Sequence, residues 1–301
     1  LFAKIAKAAW DCADPGIQYD DTINNWHTNP ESGRIMASNP CSEYMSLDNT
    51  SCNLASLNLM KFLNDDDSFA AEKFIKSAEL IITAMDISIC FADFPTEAIG
   101  DTTRKFRQLG IGYANLGALL MATGHAYDSH GGRSLAAAIT SLMTGTAYRR
   151  SAEIAGVVGA YDGYTRNAEP HKRVMRKHAA ANDAVRPVDA DAARVLHVAS
   201  KAWQDCLSIG EKYGWRNAQA SVLAPTGCLT PDTLVTTDRG LARLDTLGDV
   251  YGERWQDLDA RVSTDDGPQR ATKGGGNRDE PTRRIVTEGG YRGQGTLAHR
   301  I

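Results

Sequence analysis

A change of texture at residue 228 constrains this chain more than any other feature. Residues 228–301 are about a quarter of the 301 residues, yet they hold 11 of the 27 glycines, ten arginines and a single lysine, Lys273. The residues before them carry helical apolar spacing, so no single architecture covers both parts. That spacing predicts a helix over Ala71–Phe91, with Phe74, Ile75, Ala78, Ile82, Met85 and Ile89 on one face. Leu109–Met121 and Leu135–Ile154 read as alanine-rich helices, and Ala190–Gly214 as a long helix closed by its glycine. In the last quarter Thr233–Thr237 is short and β-branched, with the turn-like Asp238-Arg239-Gly240 after it. Arg284–Thr287 is a second strand candidate, and Asp265-Asp266-Gly267 and Gly274–Asn277 read as turns or loops. The expected fold is therefore a helix-rich α/β part over 1–227 and a small all-β part over 228–301. They join near Ala224-Pro225-Thr226-Gly227-Cys228.

Charge and hydropathy exclude several functions. A net charge of -4 does not suit a basic nucleic-acid binder, so no direct DNA binding is expected. With 42% hydrophobic and 23% charged residues the chain has the composition of a folded globular protein. No apolar run approaches the roughly 20 residues that cross a bilayer, and no signal peptide opens the chain, so no membrane partner and a cytoplasmic location are expected. The pattern is already amphipathic at Leu1, and the chain stops at Ile301 without a tail, which points to a piece of something longer.

Six cysteines, at 12, 41, 52, 90, 206 and 228, are too few for a disulfide scaffold and form no CxxC pair, so no metal site is read from them. Cys12, Cys90 and Cys206 sit in helix-like surroundings and are expected to be packing residues. Cys41 differs. Asn39, Cys41 and Glu43 stand at i, i+2 and i+4, and Pro40 favours extended geometry before it, which would place an amide, a thiol and a carboxylate on one face. A carboxylate disfavours a thiolate nucleophile and suits a neutral thiol used in one-electron chemistry, with the carboxylate as base. Cys52 follows eleven residues later, and two thiols near one site permit disulfide redox chemistry. On spacing alone, a polar loop with two buried cysteines is the plainer reading.

The wider string decides between them. His27-Thr28-Asn29-Pro30-Glu31-Ser32-Gly33 leads into SNPCSEYMSLDNTSCNLASLNL, and Arg107-Gln108-Leu109-Gly110-Ile111-Gly112 and Arg216-Asn217-Ala218-Gln219 follow. Over 1–227 this closely resembles the catalytic subunit of ribonucleotide reductase, and NPCSE is most similar to the adenosylcobalamin-dependent class II enzymes. The resemblance implies a fragment of a ten-stranded α/β barrel, adenosylcobalamin as cofactor, a ribonucleoside di- or triphosphate as substrate and a thioredoxin-like or dithiol reductant. It implies that Cys41 becomes a thiyl radical that abstracts the ribose 3′ hydrogen, that Glu43 takes the 3′-hydroxyl proton, and that Asn39 binds the substrate hydroxyls. Cys52 would be one of two reducing thiols, its partner lying upstream of this chain. Pro225, Thr226 and Gly227 would open the loop that holds the substrate phosphates, where backbone N–H groups can face an anion. A di-iron class I large subunit would share Asn39, Cys41, Glu43 and Cys52, and stays open as an alternative.

At Cys228 the reductase pattern stops. CLTPDTLVTTDRGLARLDTL, followed some seventy residues later by Gly295-Thr296-Leu297-Ala298-His299, resembles the N-terminal splicing region of an intein, a Hint-type fold. The resemblance implies that Cys228 attacks the preceding Gly227 carbonyl in an N-to-S acyl shift, giving a thioester. His299 would protonate the leaving nitrogen and Thr296 would hold the same peptide. The 301 residues hold no C-terminal intein part and no following extein, so the resemblance implies either a truncated intein or half of a split one that works in trans, in a precursor that is inactive until spliced and completed. A self-processing module carrying an inactive host fragment is the other reading.

Overall fold

The computed structural model describes residues 1–12, 15–225, 234–237, 240–243, 246–247, 255–264, 267–275, 282–286 and 292–296. The chain divides into two compact units, Leu1–Pro225 and Thr226–Ile301.

The first unit is built on helices. In chain order it contains α1 (Phe2–Cys12), α2 (Asp20–Asn25), β1 (Asn53–Asn58), α3 (Ala71–Ile89), α4 (Glu97–Phe106), β2 (Leu109–Ala114), α5 (Leu116–Ala122), α6 (His130–Val158), α7 (Tyr164–Asp183) and α8 (Ala190–Tyr213). The six apolar positions read from the sequence on α3 are all buried. At about 1.5–3 kcal/mol for each large side chain taken out of water, that stripe is what fastens α3 to the core. α6 packs chiefly on α8 and then on α3. Its small residues allow the close approach: a Cβ on Gly145 would come within 3.0 Å of the Trp203 indole nitrogen of α8. Side-chain caps start three helices, with Thr96, Ser129 and Asp189 accepting from the backbone N–H of Ile99, Gly132 and Ala192. α8 stops at Gly214, whose φ of 73° an L side chain rarely adopts.

One predicted helix is wrong in its first half. Leu109–Ala114 is a strand, and only Leu116–Ala122 is helical. Tertiary pairing overrides the local pattern here. β2 pairs in parallel with β1 from Asn53↔Leu109 to Asn58↔Ala114. On its other edge it bonds residues 219–222: Leu109 N–H donates to the Gln219 carbonyl (2.8 Å) and Val222 N–H to the Ile111 carbonyl (2.9 Å). Two glycines let these segments close up. A Cβ on Gly112 would collide with the Val222 carbonyl oxygen, and one on Gly110 would lie 2.6 Å from Leu54. The described sheet is small and unclosed, and mixed α/β in character. Two helices that fall outside the ranges read from the sequence are α4, which buries Gly100, Thr103 and Phe106, and α7, which carries Pro170 within it.

In the second unit β3 (Leu234–Thr237), β4 (Gly240–Arg243), β5 (Trp255–Thr264) and β6 (Gly267–Gly275) form an antiparallel sheet in the order β4-β3-β5-β6. β7 (Thr282–Val286) pairs with β8 (Arg292–Thr296). Gly274 and Gly275, expected in a loop, still pair with Gln256 and Trp255, while Gly276 and Asn277 lie outside the described residues. Among the described residues no helix is long and apolar enough to cross a membrane.

Candidate active site

Residues 39–44 do not run extended, as the sequence spacing implied. They form a tight turn, closed by a bridge between Ser38 and Met45. Asn39 N–H donates to the Tyr44 carbonyl (3.2 Å) and Ser42 N–H to the Asn39 carbonyl (3.1 Å). The Asn39 side chain completes the ring, its Oδ1 accepting from Tyr44 N–H at 3.0 Å. The cost is a left-handed Ser42, with φ of 64°. Gln18 braces the outside, donating to Ser42 Oγ at 2.9 Å and Ser38 Oγ at 3.2 Å.

The turn sorts its side chains by depth. Cys41 is exposed, Glu43 is half-buried and Tyr44 is buried. Glu43 Oε2 is buried and has no hydrogen-bond partner. Cys52, just before β1, is half-buried, and its sulfur occupies the space that the missing Gly110 side chain leaves open, where a Cβ would lie 2.8 Å away. Burial, with the Glu43 charge added to it, pushes the Cys52 thiol up to about 12. Burial and then the Cys52 charge raise the Tyr44 phenol above its ordinary range. Glu43, Tyr44 and Cys52 therefore act on one another in a single low-dielectric patch.

The two downstream motifs fold into the wall behind this patch. Tyr44 OH donates to Gln108 Oε1 at 2.9 Å. Arg107 leaves α4 with φ of 50°, and its Nε donates to Asp86 Oδ1 at 2.8 Å. Asn217 Nδ2 donates to the same carboxylate oxygen and to the Arg107 carbonyl, both at 2.9 Å. Ser151 Oγ donates to Asn217 Oδ1 at 2.8 Å. The upstream HTN segment joins through Thr28 Oγ1, which donates to the Ala218 carbonyl at 2.7 Å. Tyr44 and Asp86 carry no motif signal of their own. A Tyr directly after NPCSE, and an Asp amid the apolar stripe of α3, were the available hints.

Residues 1–231 match the family described as "Ribonucleotide reductase, barrel domain". This chain belongs to that family. A vitamin B12-dependent ribonucleotide reductase of Streptomyces avermitilis is 72% identical over 233 residues, covering 76% of this chain and 24% of the relative. One of Rhodopirellula baltica is 51% identical over 230 residues, covering 76% and 22%. A vitamin B12-dependent ribonucleoside-diphosphate reductase of Mycobacterium tuberculosis is 34% identical over 165 residues, covering 55% and 24%. The chain thus spans about a quarter of the length of the curated relatives it matches.

In this reductase-family chain the expected site residues separate into three groups. Asn39, Cys41 and Glu43 share one turn, and Cys52 meets Glu43 electrostatically. Pro225 is exposed, just after residues 219–222, which lie beside β2. Thr226, Gly227, Cys228 and His299 lie outside the described residues, and Thr296 is known only as the last residue of β8, paired with Thr282. Cys206 is buried as expected of a packing residue. Cys12 and Cys90 are exposed, against expectation. Cys12 ends α1, which has no buried residue, and Cys90 caps α3 where its stripe has run out.

Proposed function

We propose that this chain is the thiol-bearing part of the barrel of a vitamin B12-dependent ribonucleotide reductase, interrupted after Gly227 by the first part of an intein. The observation that carries the reductase reading is Glu43: a buried carboxylate oxygen with no partner, on the same turn as an exposed thiol and in electrostatic contact with a second. A buried acceptor left unbonded costs about 1–3 kcal/mol, which an incoming hydroxyl relieves. A ribose 3′-hydroxyl suits it, and Glu43 is the base that takes its proton. Asn39 spends its oxygen on Tyr44 N–H, so it addresses substrate hydroxyls as a donor through Nδ2. Cys41 at the tip, as a thiyl radical, takes the 3′ hydrogen atom. Cys52, neutral at physiological pH, gives reducing equivalents together with a thiol from elsewhere in the longer protein. Thr226 and Gly227, with Pro225, receive the phosphates of a ribonucleoside di- or triphosphate.

When bound, adenosylcobalamin supplies the carbon-centred radical that generates the thiyl. The residues here fit the receiving end of that chemistry, since Cys41 is exposed. Among the described residues, the cavity between α3 and α6 holds about 360 Å³, short of a corrin, and its lining does not include Cys41. The cytoplasm, and a thioredoxin-like reductant, follow from this reading. In the completed and spliced enzyme, deoxyribonucleotide formation should require cobalamin, and Cys41→Ser should abolish it. Turnover that instead needs a separate radical-generating subunit would move the protein to class I.

The intein reading is supported by the family match stopping at 231, by the division of the chain at 225 and 226, and by the strands β3 to β8 among the described residues after it. Restored to full intein length, the chain should be cleaved after Gly227 by dithiothreitol through a Cys228 thioester. Cys228→Ala should stop this, and equal persistence of uncleaved chain in both versions refutes the intein.

A further inference from the structure

We propose that Tyr44 is a positioning residue for the radical chemistry: its phenol, by donating to Gln108, holds the Cys41 turn against the start of β2 and keeps Glu43 beside Cys52. This inference rests on the reductase reading above.

The turn is closed within itself by Asn39, so its internal shape does not need Tyr44 OH. What the turn lacks is a fixed place. Cys41 and Ser42 are exposed, and Gln18, which braces Ser42, is itself exposed. Tyr44 OH gives the turn a buried polar tie to Gln108, the residue just before β2. Its acceptor is well chosen. Gln108 is buried, between Arg107, fixed by Asp86 and Asn217, and Leu109, whose N–H is bonded to Gln219. A second, longer contact at 3.4 Å reaches Thr50 Oγ1, which in turn donates to the Leu47 carbonyl at 2.7 Å. Tyr44 thus links the segment that carries Cys41 and Glu43 to the strand whose Gly110 seats the Cys52 sulfur. Hydrogen transfer, proton transfer and thiol reduction need these three groups in register, and a misplacement near 1 Å can cost about a hundredfold in rate.

The test uses the completed, spliced reductase with Tyr44→Phe, Gln108→Leu and the double variant. Each single variant should lower kcat about tenfold to a hundredfold with KM within about twofold. The double variant should lose no more than the worse single one, because both remove the same bond. Gln108→Glu, which keeps an oxygen acceptor, should recover most of kcat. Iodoacetamide should modify Cys52 several-fold faster in Tyr44→Phe while Cys206, buried in the helical core, stays protected. Wild-type kcat and Cys52 labelling in Tyr44→Phe would overturn the proposal, as would additive losses in the double variant. If Tyr44→Phe also exposes Cys206, the Gln108→Leu and Gln108→Glu pair decides by the same readouts: equal kcat in the two overturns the proposal. A wild-type enzyme without turnover would sink the reductase reading instead, and the Cys52 labelling would still judge the tether.

Discussion

Cys41 and Cys52 hold the same element in two different settings, one at the exposed tip of a turn and one half-buried behind a strand. With its thiol pushed up to about 12 by burial and by Glu43, Cys52 is neutral across the physiological range. Against an ordinary free cysteine near 8.5, its thiolate fraction at pH 8 is lower by about three orders of magnitude. Alkylation followed by mass spectrometry should therefore label Cys41 first, with Cys52 labelling still climbing steeply above pH 9; a Cys52 profile that levels off by pH 9 would contradict this. Gly112 makes a second residue-scale test. Its Cβ would strike the Val222 carbonyl, which is backbone and has little freedom to move, so Gly112→Ala should cost about 1–3 kcal/mol in urea unfolding. At this scale the residue types were legible and their geometry was not. NPCSE gives a thiol, an amide and a carboxylate by residue type. The turn that gathers them comes from a left-handed Ser42 and from Asn39 capping Tyr44, which alternation along a strand does not encode.

Among the elements, α3 was legible because its stripe, from Phe74 to Ile89, repeats through about four turns of one face, and every stripe residue is buried. α7 was hidden by its polar surface and by Pro170, and β2 was mistaken for a helix because its partners lie about 55 and 110 residues away. Asp86 interrupts the α3 stripe, and the structure gives the reason: it anchors Arg107 and Asn217. Arg107→Met would leave the buried Asp86 only Arg216, whose Nε lies 3.5 Å away, and the Asn217 amide, so it should cost about 1–3 kcal/mol, and Asp86→Asn in the same chain should return part of it. An unchanged melting temperature in Arg107→Met would refute the role. The helical core also carries a buried imidazole, His171, and a half-buried one, His178. Burial, with His178 nearby, holds His171 down to about 3, and burial, with Lys177 nearby, holds His178 down to about 4. Unfolded, each protonates near 6.5 and so binds protons that the folded chain refuses. Stability should therefore fall as pH drops from 6.5 toward 4, by up to about 1.4 kcal/mol per pH unit for each histidine. Urea midpoints at pH 7 and pH 5 measure this, and His171→Gln should flatten the slope by about half.

For the molecule as a whole, the composition break at 228 was visible because glycine and arginine crowd one side of it, and the chain divides compactly two residues before Gly227. The barrel was legible only through its motifs. A quarter of a relative's length supplies too few strands for closure to be read from pattern, and β1, β2 and residues 219–222 are parallel neighbours brought together over long separations. The missing length carries a prediction of its own. In the completed enzyme, one turnover without reductant should leave Cys52 in a disulfide with a cysteine outside residues 1–301. Non-reducing peptide mapping that finds it joined to Cys41 would contradict the assigned roles. The Val222–Ile111 bond has one more implication. If the chain is interrupted after Gly227, as proposed, the edge beside β2 is zipped to within five residues of that junction, so a splice there would mend a hem on finished cloth. Ligation would need no rethreading of the strand, and the repaired loop could take up its work without waiting for the barrel to refold.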